Sequence, residues 1–340
     1  MAFDYPDTDR DCENIDKMSI TEANELAPGI HRVETVEDDK LHGYHVLEAP
    51  SGPVLVDPGY VDAPTTVYQP FLDDHDWSLN DISLALVTHA DADHFGGNHD
   101  LRSQNPTVPI AAHVADLPLV ESVDRIMDER YSMFEAGHGI TYGDETIDWL
   151  MSMMGPDEPV TVGLRGGETV RVRDRTLELL HTPGHTRGHL MLYDRANDLV
   201  IGADGFFGRG LFGVDGEYLQ PPPYYLHPEY ETTVELVDAL DPDTLSFTHY
   251  EVMHGDEIDD FIAETLDFVR ATDSFARDVV ASEGPITLAE AIDRLVEQRG
   301  DFGLNRDLAF PLTAHFGDLE DRNVVERVRQ DGVIAWRPAE

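Results

Sequence analysis

Between residues 29 and 59 the chain alternates short apolar runs with Gly, Pro and Asp: "GIHRVETV", "GYHVLEAP" and "GPVLVDPG", the last stopped at Asp57-Pro58-Gly59. Runs of this length bounded by turn residues predict strands. "DISLALV" (81–87) and "NDLVIGADG" (197–205) repeat the form, the second again stopped by an Asp-Gly pair, Asp204-Gly205. These two strand-Asp-Gly endings hint at pseudo-equivalent halves, over too short a span to count as a repeat. Between them lie a helical-looking acidic stretch near 116–136, a Met/Trp patch "IDWLMSMM", and the strand-rich "PVTVGLRGGETVRVRDRTLELLHTPGH". After residue 255 the period changes to that of a helix, with Ile258, Ile262, Leu266, Val269, Ala276 and Val279 on one face. Gly284-Pro285 stops it, "TLAE" (287–290) reads as a capping box, and Gly300 is placed to end the next helix. Two more helical stretches and "GVIAWRP" follow. The pattern predicts an α/β protein in three parts: a polar segment 1–25, a strand-rich domain 26–255, and a small helical appendage 256–340.

Composition adds a condition on the solvent. There are 68 acidic against 23 basic residues, a formal net charge of -45, and the lysines are Lys17 and Lys40 alone. The acidic residues are interspersed among apolar-periodic segments, so this is a folded chain with an acidic surface and not a disordered one. Self-repulsion on that scale destabilises a compact state in dilute buffer. At molar salt the Debye length falls to about 3 Å and screens it. The balance resembles that of haloarchaeal proteins. Acidity therefore reports the solvent and by itself excludes no partner, although phosphate contacts would be weak at such salt. The single Cys12 allows no intramolecular disulfide and offers no thiolate near the histidines. The first residues carry no basic start and no apolar core of a signal, and the chain has no run of about 18 apolar residues. A cytoplasmic protein with no membrane segment is the expectation.

The chemistry concentrates at strand exits. "LALVTHADADHFGGN" (84–98) places His89, Asp91, Asp93 and His94 directly after an apolar run, the position from which side chains converge on a site in α/β folds. Taken alone the segment is equally a metal site and a solvated acidic loop. "LLHTPGHTRGHL" adds His181, His185 and His189, "LVIGADGFF" ends on Asp204, and "LSFTHYE" ends on His249, each again at a strand exit.

In this order the segments resemble the metallo-β-lactamase-fold hydrolases, whose pattern is H-x-H-x-D-H, a His within T-P-G-H-T-x-G-H, an Asp, and a last His. The resemblance covers roughly residues 25–255 and implies a four-layer αββα sandwich, here with a winged-helix-like helical appendage. It assigns His89, Asp91 and His185 to one divalent metal and Asp93, His94 and His249 to a second, with Asp204 bridging. Asp57 matches the strand-end Asp that orients a ligand imidazole. Asp91 departs from the pattern, standing where most members have His. Its anionic oxygen shifts the site toward harder metals, so iron or manganese is considered beside zinc. His181 and His189 are read as structural and His99 and His113 as surface or core histidines. His254 is a rival to His249.

The resemblance implies attack by a metal-activated hydroxide on a small acyl substrate, an ester, thioester or lactone, with Asp93 orienting the water and carrying its proton. A G-x-S-x-G nucleophile elbow is absent from the sequence. Arg187 and Arg209 are candidates for an anionic substrate group. "LQPPPYYLHPEY" (219–230) is a rigid loop whose Tyr224 and Tyr225 are candidates for a pocket wall. A non-haem iron redox enzyme, supported by Asp91, and an RNA-processing hydrolase, supported by the appendage, are the alternatives. The missing basic stripe makes a nucleic-acid partner the weaker reading, and a homodimer is left open.

Overall fold

The computed structural model describes residues 22–300 and 302–339. Cys12, Lys17 and most of the expected polar segment lie outside these. The first sheet contains β1 (Glu22–Ala27), β2 (Ile30–Glu37), β3 (Lys40–Leu47), β4 (Val54–Val56), β5 (Leu84–Leu86), β6 (Ile110–His113) and β7 (Val162–Leu164), neighbours in that order. Pairing is antiparallel up to β4 and parallel from β4 to β7. The second sheet uses β8 (Thr169–Val172), β9 (Arg175–His181), β10 (Leu190–Asp194) and β11 (Leu199–Ala203). A ribbon of β12 (Leu211–Phe212) and β13 (Tyr218–Gln220) intervenes before β14 (Thr244–Phe247) and β15 (Met253–His254) complete the order β15-β14-β11-β10-β9-β8.

Strand alternation builds the layers. Val54, Val56 and Leu86 of the first sheet meet Leu190, Leu192, Leu199 and Ile201 of the second in one buried cluster. Their sequence neighbours point the other way, because successive side chains leave opposite faces of a strand. Leu55 and Ala85 pack outward against Val67, Phe71, Leu101 and Leu150 of the helices on that side. Met191, Tyr193 and Val200 pack outward against Val234 and Val237 of helix His227–Leu240 and Ile262 and Val269 of helix Asp256–Glu283. The outcome is helix, sheet, sheet, helix. The acidic stretch near 116–136 is helical only in pieces, Leu117–Val120, Val123–Ile126, a wide turn Met127–Tyr131, and Glu135–His138.

The last segment is less purely helical than its period suggests. Helix Leu288–Arg299 has the foreseen capping box, Glu290 N donating to Thr287 Oγ1 at 3.3 Å and Thr287 N to Glu290 Oε2 at 2.8 Å. Helix Ala309–Asp321 follows. A three-stranded sheet then forms from β16 (Ile286–Thr287), β17 (Val325–Gln330) and β18 (Val333–Pro338). The β17–β18 turn is Asp331-Gly332, both with positive φ (52° and 93°), the conformation a two-residue hairpin loop requires. Phe310, Leu312 and Trp336 belong to the same buried cluster as Phe206 and Phe247, so these helices pack onto the second sheet.

Candidate metal centre

Four chain segments deliver the site, each at a strand exit. β5 leads through Thr88 to His89. The turn Ala92–Phe95, with Asp91 at its N-cap position, carries Asp93 and His94. β9 runs into the T-P-G-H loop bearing His185, and β11 and β14 end next to Asp204 and His249. All seven residues named from the sequence meet here. Asp93 Oδ2 lies 3.2 Å from His249 Nε2 and 3.7 Å from His94 Nε2, and Asp204 Oδ2 lies 3.2 and 3.5 Å from the same two nitrogens. On the other side Asp91 Oδ2 stands 2.8 Å from His185 Nε2 and 3.5 Å from His89 Nε2. His89 Nε2 is 4.0 Å from Asp204 Oδ2.

The second layer fixes which ring nitrogen faces inward. Asp57 is buried and accepts from Thr88 N (2.7 Å), Thr88 Oγ1 (2.8 Å) and His94 Nδ1 (2.9 Å). The Thr88 hydroxyl, having donated to Asp57, accepts from His89 Nδ1 at 3.0 Å. His185 Nδ1 donates to the Pro223 carbonyl at 3.0 Å and His249 Nδ1 to the Leu41 carbonyl at 2.9 Å. In each ring Nε2 is left to point at the carboxylates, the usual arrangement around a metal-binding histidine. His189, read as structural, is buried and accepts from the Asp204 backbone N–H at 3.2 Å, which fixes that strand end.

Sequence reasoning missed His42. It lies in β3, is fully buried, and holds Nδ1 3.8 Å from Asp93 Oδ2 while Nε2 pairs with the Tyr60 hydroxyl at 3.1 Å. Its ring packs edge-on against His249 at 4.8 Å. It sits forty-odd residues before the motif inside an ordinary strand pattern, and nothing in its spacing marks it.

These residues suit a divalent cation. His42 Nδ1, His89 Nε2, His94 Nε2 and Asp204 Oδ1 are buried with no hydrogen-bond partner, a costly condition unless another ligand satisfies them. Metal bonds of about 2.0–2.2 Å put adjacent donors about 2.9–3.6 Å apart, close to the 3.2–3.7 Å found among Asp93, His94, Asp204 and His249. Electrostatics agree. Burial alone would lower the His94 and His249 pKa values, but Asp93 and Asp204 hold His94 well above its ordinary value and raise His249 to about 9. Burial would likewise raise Asp204, and the His249 and His94 imidazoliums bring it well below the carboxylate range. Without a cation, protons supply the missing positive charge, so cation binding must release them.

Arg130, also unnoticed in the sequence, changes the other half of the site. It is buried, and its Nε and Nη2 donate to Asp91 Oδ1 and Oδ2, the second at 2.7 Å. Burial would raise the Asp91 pKa; Arg130 and His185 hold it well below the usual range. Asp91, expected to make the site more oxygen-rich for a harder metal, is the partner of a guanidinium.

The centre opens on a cavity of about 110 Å³ lined, beyond the donors, by Lys40, Tyr60, Trp149, Phe207, Leu304 and Asp307. The proposed pocket residues lie elsewhere. Tyr224 is fully buried, stacked on Tyr230 at 4.1 Å with its hydroxyl 2.8 Å from His315 Nε2, because the proline-rich loop turns it into the core. Tyr225 is half-buried between the Arg130 and Arg187 guanidiniums, 5.9 and 5.7 Å from its ring centre, and outside the cavity wall. Arg187 is exposed. Arg209 is exposed too, paired with Glu264 at 3.4 Å and lying over Phe212. His99 pairs with Glu158, His113 stacks on His181, and His254 is exposed, 3.2 Å from Thr244 Oγ1.

Residues 44–249 match the family model of the metallo-β-lactamase superfamily. The chain belongs to that superfamily. The acyl-coenzyme A thioesterase MBLAC2 of Bos taurus is 26% identical over 160 residues, 46% of this chain and 51% of that protein. A hydroxyacylglutathione hydrolase of Prochlorococcus marinus is 26% identical over 228 residues, 65% of this chain and 68% of that one. The chain thus spans about half the length of the thioesterases it matches. In fold, a β-lactamase domain protein from Burkholderia ambifaria superposes with a TM-score of 0.72 at 19% identity, covering 96% of this chain and 99% of its own. A metallo-β-lactamase family protein from Thermus thermophilus gives 0.69 at 17% identity, covering 92% and 100%. The metallo-β-lactamase fold is one built around divalent metal ions, and no helix among the described residues is long and apolar enough to cross a membrane.

Proposed function

We propose that this member of the superfamily is a metal-dependent hydrolase that removes a short acyl group from a thiol carrier, with small esters and lactones as further substrates. The observation that carries the reading is the cluster of unpartnered buried donor atoms on His42, His89, His94 and Asp204 beside a small cavity whose wall includes Asp93, Asp204 and His249. A bound divalent cation supplies water whose pKa falls from about 15.7 to about 7. The Asp93 carboxylate faces the cavity and is the group placed to hold that water's proton and release it to the departing thiolate. Asp57, Thr88 and the Pro223 and Leu41 carbonyls keep the imidazoles aimed inward. The nitrogen-rich set around Asp93 favours zinc over manganese.

Substrate class follows from size and charge. At about 110 Å³ the cavity takes a few carbon atoms, far less than the roughly 300–1,000 Å³ that holds a drug-sized ligand. A carrier would therefore stay outside. Lys40, with its ammonium 5.5 Å from the Trp149 ring centre, stands on the wall to meet an anionic part of it. Both relatives' names describe hydrolysis of an acyl group from a thiol carrier. Arg130's hold on Asp91 removes the feature that favoured the iron redox alternative. The acidic surface is read as adaptation to a salt-rich cytoplasm, and the segment from 256 onward as an appendage that closes the cavity through Leu304 and Asp307.

The test is a panel of short-chain thioesters, esters and lactones, assayed in molar KCl with zinc supplied and then removed by chelator. Chelator-sensitive cleavage with thioesters at least tenfold ahead in kcat/KM supports the reading. Failure to cleave any acyl compound, with oxygen-dependent turnover on iron instead, overturns it.

A further inference from the structure

The two halves of the centre differ in a way the family pattern does not foresee. In the half formed by His42, Asp93, His94, Asp204 and His249, the carboxylates pair with imidazoles alone, and three of the inward-facing atoms are unpartnered. In the half formed by His89, Asp91 and His185, where His89 Nε2 is the one unpartnered atom, a cation is already present. Asp91 Oδ2 and His185 Nε2 touch directly at 2.8 Å, and Arg130 Nη2 flanks the contact, 2.7 Å from the oxygen and 3.3 Å from the nitrogen, so its N–H group occupies the side of both atoms that a metal joining them would need. Arg130 Nε takes the remaining Asp91 oxygen.

The guanidinium is built in. Arg130 is 4% exposed, its charge lies 5.6 Å from the Phe310 ring centre and 5.9 Å from that of Tyr225, and it comes from the wide turn Met127–Tyr131. Tyr131, its neighbour, accepts from the Ala92 N–H at 3.0 Å, and the Tyr131 carbonyl accepts from Arg306 Nη2 at 2.7 Å. Arg does not deprotonate in proteins, and its fork matches a carboxylate in two bonds. It therefore cannot step aside as a proton on an imidazole can.

We propose that this centre takes a single divalent cation, held by Asp93, His94, Asp204 and His249 with His42 beside them, while the Arg130 guanidinium stands permanently in place of a second. Arg130 is a positioning residue: it neutralises Asp91 and holds His185 and the T-P-G-H loop without contributing to the cavity wall. The inference rests on the hydrolase reading and narrows it to a mononuclear centre.

The experiment is metal analysis of the full chain, folded in molar KCl, saturated with zinc and passed through a desalting column, with circular dichroism to confirm folding. About one zinc per chain is expected in the unaltered protein. His249→Ala is expected to fall near zero and His185→Ala to stay near one. Arg130→Lys, which keeps the charge, should remain at one. The double variant Asp91→His with Arg130→Met, which avoids leaving a buried carboxylate unpaired, should rise to about two. Two zinc ions in the unaltered protein, none after saturation, or one that His185→Ala removes and His249→Ala retains, overturns the proposal. Acyl hydrolysis by a protein carrying two metals would sink this inference and leave the hydrolase reading standing, whereas one metal with no acyl hydrolysis would do the reverse.

Discussion

Replacing Asp57 by Asn tests how the buried hydrogen-bond chain prepares His94. Asp57 has φ of 62°, a left-handed conformation that Asn tolerates, so the backbone need not move. The amide oxygen can keep the Thr88 N–H, but the amide nitrogen then takes the place of Oδ2, which accepts from both Thr88 Oγ1 and His94 Nδ1. Donor would face donor. His94 relieves the clash by moving its proton to Nε2, the atom 3.5 Å from Asp204 and 3.7 Å from Asp93 that the cation needs bare. Loss of such a supporting group typically costs 10–100-fold in metal affinity, or about 1.4–2.7 kcal/mol. The lost hydrogen bond to a charged group gives a comparable figure, about 1.5–3 kcal/mol. Competition against a chromophoric chelator in molar KCl measures the affinity, with circular dichroism of the metal-free variant checking the fold. An affinity unchanged within twofold in a folded variant would refute the assignment of Asp57 as the group that sets the His94 tautomer.

Lys40→Met should raise KM for an anionic thioester roughly three- to tenfold with kcat little altered, since a contact at the mouth binds ground and transition states alike; added KCl should narrow the gap by screening. Gly184→Ala should destabilise the fold by about 1–3 kcal/mol in thermal melts, because Gly184 has φ of 147° and a Cβ there would stand 2.6 Å from the Tyr230 Cα. The His138 pKa is lowered to about 4 by burial, its ring stacked on Trp336 at 5.4 Å. The folded state therefore prefers the neutral ring, while the unfolded chain takes up the proton near 6.5; stability present above 6.5 is lost as pH falls toward 4. His138→Phe should remove about one proton from the pH dependence of unfolding in that window, read from denaturant midpoints.

The strands were legible as short apolar runs between turn residues, but which face each side chain takes was not: Val54, Leu55 and Val56 are all apolar, so only the structure shows Leu55 turned away from the other two. The seven residues that meet at the centre were legible because each follows an apolar run at a strand exit and their order resembles the family pattern. His42 and Arg130 were not legible. Each acts through pairing between segments distant in sequence, His42 with Asp93 and Arg130 with Asp91, and neither sits in a local pattern that differs from an ordinary strand or helix. Tyr224 misled because a proline-rich loop fixes the backbone without saying which way its rings turn. The β17–β18 hairpin had a readable signal, Asp331-Gly332 between alternating residues, obscured by the helix periodicity before it.

If the buried imidazoles and carboxylates hold a cation that makes water reactive toward an acyl group, cleavage must follow the metal. The most direct test is to strip the protein of metal in molar KCl, return zinc in measured fractions, and follow cleavage of a short-chain thioester at each step. No cleavage above background is expected in the stripped protein, with a rate that rises in proportion to zinc bound. A stripped, folded protein that cleaves the thioester at the full rate would contradict it.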